Sequence, residues 1–196
     1  NGDMSSAAVA ELSSASVGVD VHVTSIGISA GAVLADALSG ATALSAGILA
    51  SDEEDDITNT GSIAAETDSL VNSASVSVGV TGSLAVGISG EASLANVTNT
   101  ANAVGAGIDA GAGNDVIENT GAIGSDVYSW LDAGSVAVNV LIELNAGAAL
   151  ADTSGISGGE AVGIDAGEGD DSVTSTGAVS AKTKSVNLAD SNSVDV

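Results

Sequence analysis

The chain has 196 residues, with 26 Asp and Glu against two Lys and no Arg, so its formal net charge is -24 at pH 7. That balance excludes binding to phosphate backbones or anionic membrane surfaces, the absence of Cys excludes disulfides and thiolate chemistry, and no run of about 18 apolar residues exists to span a membrane. Disorder is excluded as the default because 44% of the chain is hydrophobic, but with no Phe and one each of Trp, Tyr and Met that fraction is almost wholly Ala, Val, Ile and Leu, which predicts a thin core of small side chains.

Read from the N-terminus, Asn1-Gly2-Asp3 shows neither an initiator methionine nor a basic segment leading into an apolar one, which points to a processed chain or a segment of a longer one. Val17, Val19, Val21 and Val23 then alternate with small or polar residues, a period of two that predicts a strand with its valines in the core. His22 falls on the other phase and is expected at the surface, with no second His or Cys to complete a transition-metal site. Gly27-Ile28 and Gly47-Ile48 lead into an acidic turn, Asp52-Glu53-Glu54-Asp55-Asp56, followed by Ile57-Thr58-Asn59-Thr60-Gly61. A second alternating strand holds Val76, Val78, Val80, Leu84, Val86 and Ile88, with Thr98-Asn99-Thr100 beyond it. From Gly107-Ile108 the acidic turn returns in glycine-rich form, and Val136, Val138, Val140, Ile142 and Leu144 make a third alternating strand. A third turn follows Gly163-Ile164, and Ser193-Val194-Asp195-Val196 closes the chain on another alternating segment.

Ile48, Ile108 and Ile164 recur at a spacing of about 60 residues, and a fixed period of this size marks a repeat architecture. The chain reads as one domain over 1–196, in units of approximately 1–46 (partial), 47–106, 107–162 and 163–196 (partial). A finer interval of about 20 residues separates Gly27-Ile28 from Gly47-Ile48 and Gly87-Ile88 from Gly107-Ile108, which reads as a smaller repeating element. The expected fold class is therefore all-β, a β-solenoid (β-helix) of about 20-residue coils grouped in about 60-residue repeats, too narrow inside for aromatic rings; a β-sandwich pilin-like subunit is the alternative. About ten coils at roughly 4.8 Å each predict a rod on the order of 50 Å long. Neither end reads as a cap, and the end phases keep corners in register for a second copy stacked end to end.

Ala110-Gly111-Ala112-Gly113-Asn114-Asp115-Val116-Ile117 and Ala166-Gly167-Glu168-Gly169-Asp170-Asp171-Ser172-Val173 resemble the RTX nonapeptide G-G-x-G-x-D-x-U-x, with Ala at the first Gly. The resemblance implies calcium held by turn carbonyls and carboxylates. By position it makes Asp115 and Asp171 the liganding aspartates, Gly111, Gly113, Gly167 and Gly169 the turn glycines, and Ile117 and Val173 the inward anchors. Asp109, Asn114, Asp165 and Asp170 supply further oxygens within each turn. The upstream copy keeps Asp55 and Ile57 but replaces both glycines, and Asp52 is a further candidate ligand in it. Three such short coils between motifs would set the turns about 14 Å apart, too far to share an ion. Each turn would then draw on its own residues or on an adjacent coil, where Glu91 sits one coil before Gly111. Plain solvated corners, for which Gly and Asn are suited, are the other reading.

Thr58-Asn59-Thr60, Thr98-Asn99-Thr100 and Thr174-Ser175-Thr176 resemble the T-x-T ladders of ice-binding solenoids, with Glu118 interrupting one of them. Asn96-Val97-Thr98 is a glycosylation sequon, Tyr128 and Trp130 read as a local surface anchor, and Lys182 and Lys184 are expected to meet acids of a stacked neighbour. No residue set predicts an enzyme. The expectation is a calcium-stabilised structural subunit or segment of an extracellular filament or cell-surface fibre. Its partner is itself, by end-to-end stacking, with no nucleic acid and no membrane insertion. A secreted adhesin stalk is the alternative and an ice-binding solenoid a minor one.

Overall fold

The computed structural model describes residues 2–24, 27–83, 87–142 and 146–196, except for the side chains at 24, 27–30, 82–83, 87–89, 142 and 146. Leu84, Val86 and Leu144, and the side chains of Ile28, Ile88 and Ile142, thus lie outside the described residues.

Among the described residues ten strands follow in chain order: β1 (Met4–Thr24), β2 (Gly27–Leu49), β3 (Asp56–Asn59), β4 (Ile63–Ser83), β5 (Gly87–Asp109), β6 (Val116–Asn119), β7 (Ile123–Ile142), β8 (Ala146–Asp165), β9 (Ser172–Ser175) and β10 (Val179–Asp195). No helix among the described residues is long and apolar enough to cross a membrane. Each strand pairs in parallel with its counterparts in the neighbouring repeats, giving sheet A (β1-β4-β7-β10), sheet B (β2-β5-β8) and sheet C (β3-β6-β9). This is the all-β solenoid that the repeats predict.

The register shows what one coil is. Met4 pairs with Ile63, Ile63 with Ile123 and Ile123 with Val179, so the backbone meets itself once in every repeat of about 60 residues. The whole repeat unit is one coil, and the shorter interval reappears as the length of its long sides, 21 residues in β1 and 23 in β2. These two sides face each other through side chains. Ser6 Oγ meets Ser45 Oγ at 2.9 Å and Ser14 Oγ meets Ser39 Oγ at 2.5 Å, so β1 and β2 run in opposite directions across the interior. The apposed layers are shared with the β-sandwich alternative; the coil-to-coil parallel pairing is not. At about 3.3 Å per residue each long side spans about 70 Å, whereas four stacked strands span only about 14 Å. The expected slender rod is therefore a wide, flat slab.

The alternation has the opposite phase to the one expected. Ser69, Ser73, Ser75 and Ser77 of β4 are buried while Val76, Val78 and Val80 lie on the outer face, and Val17, Val19, Val21 and Val23 of β1 are between 60% and 70% exposed. Depth is the physical reason. Ser75 Oγ donates to Ala35 O at 2.7 Å, Ser69 Oγ to Ala41 O at 3.0 Å and Ser129 Oγ to Ala101 O at 2.8 Å, each onto the backbone of the facing sheet. A gap that a serine arm bridges holds one layer of side chains, and a small hydroxyl there gains a hydrogen bond. The valines instead stack along the outer face, Val17 beside Val76 beside Val136.

Larger apolar groups gather in two places. Ala37, Val71, Val97, Ala101 and Leu131 form the middle of the slab, and Ile57, Ile63, Ile108, Ala110, Ile117 and Ile123 fill the end where sheet C closes the coil. The Gly-Ile pairs re-phase sheet B at that end. Gly107 and Ile108 are both buried, and a Cβ at Gly47 or Gly107 would fall 2.2 Å from Ile63 Cγ2 or Ile123 Cγ2.

Lys182 and Lys184 find partners within the chain, one coil back. Lys182 Nζ lies 3.5 Å from Asp126 Oδ1, and Lys184 Nζ sits 5.2 Å above the Tyr128 ring. Tyr128 and Trp130 are neighbours, their ring centroids 6.2 Å apart.

Candidate functional site

The acidic turns 50–55, 110–115 and 166–171 form one column in front of the isoleucine cluster. Val116 N donates to Asp55 O at 2.9 Å, Gly113 N to Glu168 O at 2.9 Å and Ser172 N to Asp115 O at 2.8 Å. Successive turns are therefore about one strand spacing, roughly 4.8 Å, apart. This replaces the expected separation of about 14 Å, because each unit makes one coil and not three. Glu91 is removed from the turn by the same fact: it stands near the start of β5 and Asp109 at its end, about 60 Å apart along the strand.

Stacking explains the glycines. Gly111, Gly113, Gly167 and Gly169 have φ of 86°, 143°, 81° and 150°. A Cβ at Gly111 would fall 2.2 Å from Ser51 O, and one at Gly167 1.5 Å from Gly111 O. Conformation and the turn beneath both demand glycine there. The first turn, with Ser51 and Glu53 at these places, has no turn beneath it among the described residues.

The motif aspartates join turn to turn. Asp115 Oδ1 accepts from Asp55 N at 2.7 Å, Asp171 Oδ1 accepts from Asp115 N at 2.9 Å, and Asp55 Oδ2 accepts from Ser51 N at 3.0 Å and Ser51 Oγ at 3.1 Å. Asp109 Oδ1 and Asp165 Oδ1 accept from Gly111 N and Gly167 N within their own turns, at 3.2 Å and 3.1 Å. Asn114 Oδ1 accepts from Asp170 N at 2.9 Å, while its Nδ2 donates to Glu54 Oε1 at 3.5 Å. Asp52 and Asp170 lie exposed at the rim.

Among the described residues of the turns one atom is left over: Asp115 is only 1% exposed, and its Oδ2 has no hydrogen-bond partner. Asp55, Asp115 and Asp171 repeat at roughly the strand spacing, where two like charges repel by about 3 kcal/mol at an effective dielectric of about 20. Unpartnered carboxylate oxygen and stacked turn carbonyls are the hard oxygen donors that calcium takes. Among the described residues no three His, Cys, Asp or Glu side chains are placed to hold a metal. An ion at this corner would therefore rest on Asp115 Oδ2 and backbone oxygens.

Next to this column runs an asparagine ladder that reading the triplets by their threonines missed. Asn59 Nδ2 donates to Asn119 Oδ1 at 2.7 Å, and Asn119 Nδ2 donates to Ser175 Oγ and to Gly121 O, both at 3.0 Å. The signal was present: these residues stand two after the inward Ile57, Ile117 and Val173. Thr58, Glu118 and Thr174 form the outward column, interrupted by the glutamate.

His22 is also placed differently from expectation. It pairs in register with buried Thr81, and its half-buried side chain is on the inward phase of β1 because the valines take the outer one. No family model, no curated protein and no solved structure matches the chain.

Proposed function

We propose that the chain is a non-enzymatic structural β-solenoid of an extracellular filament or cell-surface fibre, with calcium binding at its acidic corner. The carrying observation is the column of three acidic turns one coil apart, with a buried aspartate oxygen at its centre that has no partner among the described residues. A chain of net charge -24 that stacks its acids in register gains stability from any divalent cation that sits among them. The RTX-like pattern of the turns supports the same reading.

A repeat stalk of a secreted adhesin is the second reading, since parallel coil-to-coil pairing serves one long chain as well as a stack of copies. Thermal unfolding and electron microscopy of the purified protein, in calcium and in excess chelator, test the proposal. Calcium is expected to raise the melting temperature and give long regular filaments. Isolated short particles favour the stalk, and a melting curve unchanged by chelator removes calcium from the corner.

A further inference from the structure

At the end of the slab opposite the acidic turns, the interior changes character. Asp20 and His22 of β1, Thr81 of β4, Glu91 and Ser93 of β5 and Asn139 of β7 all occupy inward positions. Glu91 is 4% exposed and, among the described residues, neither of its carboxylate oxygens has a hydrogen-bond partner; the buried Thr81 Oγ1, Ser93 Oγ and Asn139 Oδ1 have none either. All five atoms are oxygens that accept, and only the two hydroxyls carry a proton to give. A buried cluster short of donors is satisfied by a cation or by water.

Glycines open the space between these groups. Asp20, Gly79 and Asn139 share one column of sheet A, and Gly31, Glu91 and Gly147 share one column of sheet B. A Cβ on Gly79 would fall 2.7 Å from Glu91 Oε1 and 2.6 Å from Ser93 Oγ, so both oxygens are aimed into the gap that Gly79 leaves. A Cβ on Gly31 would fall 3.2 Å from Asp20 Oδ2 and 3.6 Å from Glu91 Oε1, so the two carboxylates border the same gap.

We propose that this interior gap is a second, separate site for a hard divalent cation of the calcium class, held between Asp20 and Glu91. Ser93, Thr81 and Asn139 Oδ1 supply neutral oxygens. Two carboxylates balance the charge of the ion, and a bidentate Glu91 brings the oxygen count to the six or more that calcium takes. Nothing else in the fold serves that purpose: both lysines are in β10, and the only nearby basic side chain is His22. Burial first, and then the charge of Asp20, push the Glu91 carboxyl above its ordinary range, with His22 opposing them. A bound cation reverses that push, so calcium and protons compete for the site.

Calcium titration by isothermal calorimetry of the intact protein tests the site, with Glu91→Gln and Thr81→Val as variants and Asp115→Asn as the corner control. Circular dichroism checks that each variant is folded. The wild type is expected to show a class of calcium binding that Glu91→Gln weakens at least tenfold, that Thr81→Val weakens less, and that Asp115→Asn keeps. If Glu91→Gln does not fold, Thr81→Val carries the test, and wild-type affinity in that variant overturns the site. Wild-type affinity and stoichiometry in Glu91→Gln overturn it, as does a wild type that binds no calcium. A loss confined to Asp115→Asn assigns calcium to the corner alone, whereas a loss confined to Glu91→Gln keeps the interior site and defeats the corner.

Discussion

Exchanging the two faces of β4 tests the inverted alternation directly. Ser75 is fully buried, and its Oγ donates to Ala35 O at 2.7 Å across the slab. Ser75→Val removes that hydrogen bond, about 0.5–1.5 kcal/mol, and forces two methyl groups into a gap one side chain deep, about 1–3 kcal/mol for an overpacked core. The sum is about 2–4 kcal/mol, or a fall in melting temperature on the order of 5–15 °C for a chain of this size. Val76→Ser acts on the outer face, where Val76 lies between Val17 and Val136 in the neighbouring coils. It loses two cross-strand pairs at about 0.2–1 kcal/mol each, so about 1 kcal/mol in all. Intrinsic strand preference favours the opposite ranking, since valine suits a strand better than serine. Thermal unfolding followed by circular dichroism compares the two variants under one set of conditions. If Val76→Ser costs more than Ser75→Val, the valines are core and the inward serines are not.

Two other outcomes follow from the turns and from Glu91. Gly167→Ala combines a left-handed backbone, about 1–2 kcal/mol, with a Cβ 1.5 Å from Gly111 O, so a loss of about 3 kcal/mol or more is expected, together with proteolytic opening at 166–171; Gly134→Ala, with nothing within 4 Å of its Cβ, is expected within about 0.5 kcal/mol of wild type. Equal stabilities would show that the third turn does not rest on the second. In chelator, the folded Glu91 titrates above its ordinary value of 4.5, raised by burial and then by Asp20 against the opposing charge of His22. Between those two values the folded chain holds a proton that the unfolded chain has lost, so stability falls as pH rises through the window and levels off above it. Urea unfolding across that range is expected to show the slope in wild type and a flatter profile in Glu91→Gln, and identical slopes would refute it.

Much of this architecture is legible in the residues. Period two means strands at any phase, the long repeats mean stacked equivalents, and the missing aromatics mean a thin interior. The acidic turns are recognisable because glycine and aspartate recur at fixed places within each unit. The site at Glu91 is not, since the second carboxylate, Asp20, lies in another repeat. It becomes a cluster only where β5 meets Asp20 of β1 and Asn139 of β7, both far from it along the chain. Folding the coil back on itself, Ser6 against Ser45 and Ser14 against Ser39, is the signal that finds such partners.

The sequence by itself determined that identical positions would stack, because a backbone repeating at a constant interval pairs best with itself. It held a short interval, between the Gly-Ile pairs, and a long one, between the acidic turns, and hydrogen bonding between coils chose the longer. Tertiary structure also decided the phase, since the inward face of a strand depends on what the facing sheet leaves room for. Here the facing sheet is near enough for serine hydroxyls to reach its carbonyls, so the small polar residues lie inside and the valines outside.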